Sequence, residues 1–329
     1  MIRTKITEMF GVKHPIICGA MMWLAEPNLC AAISNAGGLG NLTAQMYESE
    51  KLFREALDQV RQKTDKPFLV NVTSLPSGRI TSEHYAMYFR VCAQEKVPGM
   101  EISGMPVEKI TGEEGLAMLK EAGVRLFQKC GAVRHALHAQ KMGYAGVYAA
   151  GFEEGGHPLS DDVCTMVLTP RMVESLSIPV VSAGGISNGR NLAAALVLGA
   201  EGVMMATRFV ATQECRVHKN IKQELVRRQE HHTTLITKSL GLQGRALKNA
   251  TVAQILEVEA RGGGLQELMP LITGLRGRQA WETGDVEAAA MYFGQSTGLI
   301  HDIPTCAELL ERMVEEAAQR IDLVRGLTH

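Results

Sequence analysis

The chain has 329 residues, of which 46% are hydrophobic, so it can bury the core of one large domain and is not disordered as its main state. Its 34 basic and 35 acidic residues nearly cancel and form no long basic run, which argues against nucleic acid as a partner. Because no apolar stretch is long enough to span a bilayer and no signal-peptide core is present, we expect a cytosolic protein that binds no membrane.

The cysteines and histidines give no sign of a metal site. The seven cysteines are scattered and never form a CxxC pair, so most are expected to be small core residues. The histidine pairs at 135/138 and 231/232 have no cysteine or carboxylate beside them at zinc-site spacing. We therefore expect no metal.

Apolar runs bounded by Gly, Pro or Asp alternate with segments of helical periodicity over the first two thirds of the chain. The predicted strands span residues 14–19, 39–43, 68–73, 99–103, 125–130, 146–150, 179–182 and 202–205. The predicted helices between them span residues 28–35, 49–62, 82–95, 113–121, 133–141, 170–175 and 188–198. Eight such repeats predict an α/β protein with a (β/α)8 TIM barrel rather than an open doubly wound sheet.

The alternation stops after Phe209. We expect polar helices from about residue 213 to 260, a break at 261–264, and a long amphipathic helix from about Thr305. No low-complexity linker separates these segments from the barrel. We therefore predict a barrel over residues 1–212 and a C-terminal helical elaboration over residues 213–329, packed over the barrel mouth.

The turns after predicted strands seven and eight are suited to a phosphate. Gly184 and Gly185 follow the seventh strand, and Ala206 and Thr207 follow the eighth. Phosphates in TIM barrels often bind at these two loops, where backbone N–H groups converge and small residues allow close approach. The same glycines could serve a plain structural turn, and a non-redox barrel could use such a cradle for a phosphorylated substrate.

Three other predicted strand ends carry residues that could bind a ligand. The first is followed by Gly19, Ala20, Met21 and Met22, whose small and soft side chains would let a flat ring lie against the backbone. Asn71 and Thr73 share one face of the third strand and point into the barrel. Lys129 ends the fifth strand, where a buried ammonium needs an anion or an electron-rich partner unless it reaches solvent.

The loop after the sixth strand carries the best candidate for an acid, base or hydrogen-bond donor. His157 follows Gly155 and Gly156, which permit a sharp bend just after the strand end. We interpret Glu153, Glu154, Asp161 and Asp162 in this loop as a solvated lid edge and helix-cap charge rather than a metal site.

These segments together resemble the FMN-dependent family of nitronate monooxygenases (formerly 2-nitropropane dioxygenases), flavin-type enoyl-acyl carrier protein reductases and NADH:quinone reductases. The resemblance is carried by residues 14–17, 34–40, 155–157, 183–190 and 206–209 and covers most of the chain. The segments at 128–135, 151–153 and 259–263 are most similar to the NADH:quinone reductase branch.

The resemblance implies non-covalent FMN and NADH or NADPH as co-substrate. It places Gly19, Ala20 and Met21 against the flavin ring, Asn71 and Thr73 at its polar edge, and Lys129 near its N1/C2 carbonyl. The full set of implied cofactor-binding residues is Gly19, Ala20, Met21, Asn71, Thr73, Lys129, Gly151, Gly156, Ser182, Ala183, Gly184, Gly185, Met205, Ala206 and Thr207. Met22, Pro76 and Phe152 would form a substrate or nucleotide loop.

The activity that this resemblance favours is NAD(P)H:quinone reduction by ping-pong hydride transfer through flavin N5, with Lys129 and His157 as the catalytic residues. Oxidation of alkyl nitronates is the first alternative, and reduction of an enoyl thioester is the second. The partner is therefore a small acceptor, and a homodimer is possible.

Overall fold

The computed structural model describes residues 2–74 and 79–327, and it confirms the (β/α)8 barrel. Hydrogen bonds join neighbouring parallel strands in the order β1-β8-β7-β6-β5-β4-β3-β2. A parallel bridge between Ile17 and Leu39 closes the ring between the first and second strands. The strands are β1 (Ile16–Cys18), β2 (Gly40–Thr43), β3 (Phe68–Ser74), β4 (Gly99–Gly104), β5 (Arg125–Cys130), β6 (Gly146–Ala150), β7 (Val180–Ala183) and β8 (Gly202–Met205). All eight lie within two residues of their predicted bounds.

The barrel helices are close to the predicted ones, with four differences. Helix α1 and the short helix α9 were not predicted. Helix α5 begins six residues before the predicted start and contains a left-handed Gly112 (φ 75°), and α7 begins at Thr165 rather than Pro170. Proline favours the first turn of a helix, but Pro170 lies inside α7. The helices are α1 (Lys5–Phe10), α2 (Pro27–Asn35), α3 (Glu50–Lys63), α4 (Ser82–Gln94), α5 (Val107–Glu121), α6 (Val133–Lys141), α7 (Thr165–Ser175), α8 (Gly189–Val197) and α9 (Thr207–Val210).

The C-terminal elaboration is not wholly helical, which corrects the prediction of polar helices over residues 213–260. An antiparallel hairpin of two short strands lies inside that range. Its turn contains Thr237 and Gly241, both in the left-handed region (φ 57° and 68°). The elements are α10 (Lys219–Arg227), β9 (Thr233–Ile236), β10 (Gly244–Leu247), α11 (Ala250–Ala260), α12 (Leu265–Ile272), α13 (Gly274–Thr283) and α14 (Cys306–Arg325). The predicted break at 261–264 and the long last helix are confirmed.

The inward-facing positions change from apolar to polar along the barrel axis. Ile17, Leu69, Phe127, Tyr148 and Val181 belong to one buried cluster inside the barrel. Because side chains alternate along a strand, the next inward positions toward the carboxyl ends include Asn71 two residues after Leu69 and Lys129 two after Phe127. The polar end of the barrel is therefore the end at which function is expected.

The C-terminal elements share a core with the barrel. One buried apolar cluster joins Leu29 and Ile33 of α2 to Phe293 and to Leu309 and Leu310 of α14. In the ranges that the structure describes, we find no helix whose length and hydropathy would allow it to cross a membrane.

Candidate active site

The two predicted phosphate turns lie side by side. Ala183, the last residue of β7, is the register partner of Met204 on β8, so the turns that follow these strands are neighbours. Gly184 and Gly185 both have positive φ, 94° and 72°, which disfavours any other residue at these positions. A Cβ atom on Gly184 would lie 2.9 Å from the carbonyl oxygen of Gly151. The turn after β7 is therefore built from glycine on both conformational and steric grounds.

The backbone N–H groups of these turns are available to a ligand. Among the described residues, the amides of Gly184, Gly185, Ala206 and Thr207 donate to no backbone carbonyl. The Thr207 hydroxyl accepts a hydrogen bond of 3.1 Å from the Gly294 amide and can donate to an oxygen in turn. Four free amides and a hydroxyl at adjacent strand ends suit a phosphate monoester.

The turn after β1 approaches β8 and the turn that follows it. The Gly19 amide donates to the Met205 carbonyl at 2.8 Å. A Cβ atom on Gly19 would lie 3.3 Å from the side chain of Met204 and 3.4 Å from that of Ala206. Ala20, Met21 and Met22, which follow, keep partly accessible surface. A flat ring lying on this turn would therefore be next to the phosphate-binding turns.

Trp23 fixes the end of this turn to the C-terminal elements. Its φ of 69° is unusual for a bulky residue and indicates a constrained position. The indole N–H donates to the Gly274 carbonyl at 2.9 Å. The guanidinium groups of Arg79 and Arg278 lie over its ring, 5.0 and 5.1 Å from the centroid.

Asn71 and Thr73 share one face of β3, as predicted, and bond to each other. The Thr73 hydroxyl donates to the Asn71 side-chain oxygen at 3.0 Å. The Asn71 side-chain amide donates to the Glu101 carbonyl at 3.3 Å. Asn71 is fully buried, whereas Thr73 is partly exposed, so Thr73 is the more accessible of the two.

Lys129 forms an ion pair with Glu154, which was not predicted from the sequence. Its Nζ lies 2.8 Å from Oε2 of Glu154, and both side chains are largely buried. Burial alone would lower the pKa of Lys129, but the charge and hydrogen bond of Glu154, together with the charge of Glu101, raise that pKa above its ordinary value. The interpretation of Glu154 as part of a solvated lid edge is therefore wrong, because this carboxyl faces inward to the lysine.

Glu153 has the helix-cap role that was expected for this loop. Its carboxylate accepts hydrogen bonds from the amide and the hydroxyl of Thr165, both at 2.9 Å, at the first residue of α7. The Thr165 hydroxyl also lies 3.0 Å from the Gly184 carbonyl. The cap therefore connects the loop after β6 to the glycine turn after β7.

His157 lies in the same loop and stacks on Tyr292, with ring centroids 5.4 Å apart. The residue as a whole is exposed, and the Tyr292 ring covers and buries one face of the imidazole. That burial, followed by the positive charge of Lys129, lowers the pKa of His157 to about 4. The imidazole is therefore neutral at physiological pH and can donate or accept a hydrogen bond.

The β9–β10 hairpin contacts the loop after β6. The backbones of Gly156 and Arg245 exchange two hydrogen bonds, 3.2 and 2.6 Å long, as in an antiparallel bridge. The Arg245 Nε donates to the Phe152 carbonyl at 3.1 Å, and the guanidinium lies 4.4 Å from the centroid of the Phe152 ring. The loop that carries Phe152 and His157 is thus fixed by a buried arginine.

Two of the predicted cofactor-binding side chains point away from the barrel mouth. The Ser182 hydroxyl forms a 2.9 Å hydrogen bond with Thr169 of α7. Met205 packs in the core between the barrel and its surrounding helices, whereas Ala183 packs inside the barrel. Contacts of Ser182 and Met205 with a ligand would therefore come from their backbone. Pro76 lies outside the described residues.

A buried acid that was not predicted from the sequence, Glu101, lies on β4. Its side chain accepts hydrogen bonds from the Asn41 amide and, at 3.1 Å, from the Ser103 hydroxyl. Burial raises the pKa of Glu101 to about 7, although the charge of Lys129 opposes this shift. The available signal was an acidic residue at an inward position between Gly99 and Ser103. No cluster of three or more His, Cys, Asp or Glu residues suited to a metal occurs in residues 2–74 and 79–327.

Comparisons with known proteins agree on one family. The family model described as nitronate monooxygenase matches residues 3–316. The chain is 32% identical to the (3aS,4S,5R,7aS)-5-hydroxy-7a-methyl-1-oxo-octahydro-1H-indene-4-carboxyl-CoA dehydrogenase of Rhodococcus jostii (strain RHA1), over 99% of each chain. It is 29% identical to a probable nitronate monooxygenase of Staphylococcus saprophyticus, over 96% of this chain and 98% of that protein.

Solved structures give the same result. FabK from Thermotoga maritima superposes with a TM-score of 0.90 at 34% identity, covering 99% of this chain and 100% of that one. Nitroalkane oxidase from Streptomyces ansochromogenes superposes with a TM-score of 0.80 at 26% identity, covering 97% and 99%. The chain therefore belongs to the nitronate monooxygenase family, a family of flavin-dependent oxidoreductases.

Proposed function

We propose that this protein is an FMN-dependent oxidoreductase that uses NADH or NADPH to reduce a conjugated carbonyl compound, with quinones as the preferred acceptors. The observation that carries the proposal is the placement of Lys129 at the end of β5, paired with Glu154, in the same barrel mouth as the four free amides after β7 and β8.

The residues present fit FMN. Gly184, Gly185, Ala206 and Thr207 would hold its single phosphate, because their amides take no backbone acceptor in the described part of the chain and a side chain at position 184 would obstruct the turn. The residues Gly19 to Met21 would lie against the ring, with Asn71, Thr73 and Lys129 at its polar edge. When bound, FMN would supply a ring that can accept and donate hydride.

The chain's own residues would bind and orient the reactants. Lys129 keeps its positive charge because Glu154 raises its pKa, so it can stabilise negative charge that develops at the mouth. His157 is neutral and would donate a hydrogen bond to the acceptor oxygen, which orients the acceptor. Met21, Met22 and Phe152 would provide an apolar wall for a flat substrate.

Two other activities are supported by specific relatives. Nitronate oxidation is supported by the family model and by the staphylococcal relatives described as probable nitronate monooxygenases. Reduction of an enoyl thioester is supported by the likeness to FabK and to a dehydrogenase whose name specifies a CoA derivative. In both cases His157 would hold the oxygen atoms of the nitro group or the thioester carbonyl.

Steady-state assays with matched concentrations of the three acceptor classes distinguish these activities. We expect NAD(P)H oxidation with benzoquinone or naphthoquinone to exceed both NAD(P)H oxidation with crotonyl-CoA and oxygen consumption with propyl-2-nitronate. Rapid nitronate oxidation without a nicotinamide, together with negligible quinone turnover, would favour the monooxygenase. The cytosolic location and the homodimer stay predictions.

A further inference from the structure

Glu101 lies inside the barrel, where a carboxyl group needs a specific reason to be present. Only 1% of the residue is exposed. Its two carboxyl oxygens face the Asn41 side-chain amide, the Ser103 hydroxyl and the backbone N–H of Ala20. These donors connect β1, β2 and β4, so Glu101 joins the turn that is expected to carry the flavin ring to the strands beside it.

Lys129 interacts with two carboxyl groups. It forms the 2.8 Å ion pair with Glu154, and its charge also acts on Glu101. One ammonium group can balance one carboxylate, and a second ionised carboxylate in a buried site would carry an uncompensated charge. The three residues are therefore electrically neutral only if one carboxyl keeps a proton.

The other groups around Glu101 do not supply the missing charge. Cys18 on β1 and Tyr148 on β6 both interact electrostatically with Glu101, and burial raises the pKa of each well above its ordinary value. Both are thus neutral at physiological pH. Asn41 and Ser103 are uncharged, and their hydrogen bonds favour the ionised form of Glu101, whereas burial favours the neutral form. Arg245 and Glu153 act on Glu154 with opposite charges, so together they do not replace Lys129 in this balance. Lys129 is the cation that acts on Glu101.

We propose that Glu101 is a positioning residue that holds the exchangeable proton of the site. Glu101 is neutral while Lys129 is paired with Glu154, and it ionises when Lys129 loses that pair and interacts with Glu101 instead. With the proton on Glu101, the group of three residues has no net charge, and the lysine can stabilise an anion at the mouth. With both carboxylates ionised, the group would have a charge of −1 and would oppose that anion. This inference depends on neither the identity of the acceptor nor the presence of FMN.

Carbon-13 NMR of purified protein labelled at the glutamate side-chain carboxyl tests the proposal directly. The Glu101 resonance is assigned as the one that disappears in Glu101→Gln, and its shift is followed from pH 5 to 9. We expect it to titrate with a midpoint near 7, the value to which burial raises the pKa of this carboxyl.

Two variants should move this midpoint in opposite directions. Glu154→Gln releases Lys129 to Glu101, so the midpoint should fall by about one pH unit or more. Lys129→Met removes the cation, so the midpoint should rise by a similar amount. Because both variants retain Glu101, they test the proposal even if Glu101→Gln does not fold. The resonance is then assigned with Glu101→Asp, which removes the labelled glutamate signal but keeps a carboxyl group.

Glu108→Gln is the matched control. Glu108 on α5 is another glutamate with a buried side chain, bonded at 2.7 Å to His138 of α6 and at 3.1 Å to Tyr144 in the turn before β6. Its loss should leave the Glu101 midpoint unchanged. The proposal is overturned if Glu101 is ionised throughout the pH range, if its midpoint is the same in the Glu154 and Lys129 variants, or if the control shifts it equally.

Discussion

At the scale of single residues, the chemistry of the mouth depends on how its charges are paired. Lys129→Met leaves the largely buried Glu154 without its partner at 2.8 Å. We expect this change to lower the free energy of unfolding by about 3 kcal/mol, because breaking a buried pair leaves an uncompensated charge. The double variant Lys129→Met/Glu154→Gln should recover most of that loss, as measured by urea denaturation at pH 7.5.

The opposite pattern, in which the double variant is no more stable than the single one, would mean that the two side chains are independent. Lys129→Met should also slow reduction of the bound cofactor by NADH, and this rate should not be restored in the double variant. Stability and reduction rate therefore separate the pairing of Lys129 from its action on the cofactor.

His157 should act without titrating near neutral pH. Burial and the charge of Lys129 lower its pKa to about 4, so the neutral ring is present throughout pH 5.5 to 8. We expect His157→Ala to reduce acceptor turnover about tenfold, the loss of one hydrogen bond, and by the same factor at every pH in this range. A ratio of wild-type to variant rates that changes with an inflection near 6.5 would contradict this account.

The residues that could be predicted were those in recognisable positions at strand ends. Lys129, His157 and the pair Gly184 and Gly185 follow directly from the strand pattern. Glu101 was not selected because an acid within a strand has no local signal of its partners, which come from β2, β5 and the turn after β1 as well as from β4 itself. Glu154 was misinterpreted because a loop carboxylate is usually solvated, and only the folded barrel brings it to Lys129.

At the scale of elements, the β9–β10 hairpin is part of the site. Arg245 reaches the loop after β6 through the Phe152 carbonyl and ring and through the backbone of Gly156. Arg245→Lys cannot reproduce both the planar contact and the Nε hydrogen bond. We expect faster hydrogen exchange in residues 151–162 and a several-fold higher KM for the acceptor, with a smaller change in kcat.

Arg261→Lys is the control, because Arg261 lies in the same C-terminal region and its side chain forms an exposed ion pair with Glu267. If both variants change loop exchange equally, or if Arg245→Lys changes neither exchange nor KM, the hairpin does not position the loop.

The barrel elements were predictable because eight strands repeat one pattern, buried on both faces and bounded by turn residues. The hairpin was not, because its strands are only four residues long and lie between segments of helical composition. The two strands pair with each other, and Arg245 pairs with Gly156, only in the folded structure. The local sequence pattern therefore does not predict these pairs.

At the scale of the whole molecule, the barrel and the C-terminal elements share one buried apolar core. Helix α14 packs on α8, where its Glu316 accepts a hydrogen bond of 2.8 Å from the Gly189 amide, and Leu309, Leu310 and Met313 are buried in the shared core. Each such side chain contributes about 1.5–3 kcal/mol, and domains have only about 5–15 kcal/mol of net stability.

We therefore expect a fragment of residues 1–212 to be insoluble or molten. Circular dichroism and urea denaturation of the fragment beside the full chain measure this. A fragment with a cooperative transition like that of the full chain would show that the barrel is an independent domain.

The most direct test of the proposed function is an anaerobic absorption titration of the purified protein. We predict the spectrum of one oxidised FMN per chain, loss of its visible band on addition of NADH or NADPH, and full return of the band on addition of benzoquinone. A protein that has no flavin band even with added FMN, that releases FAD, or whose band neither nicotinamide removes would contradict the account.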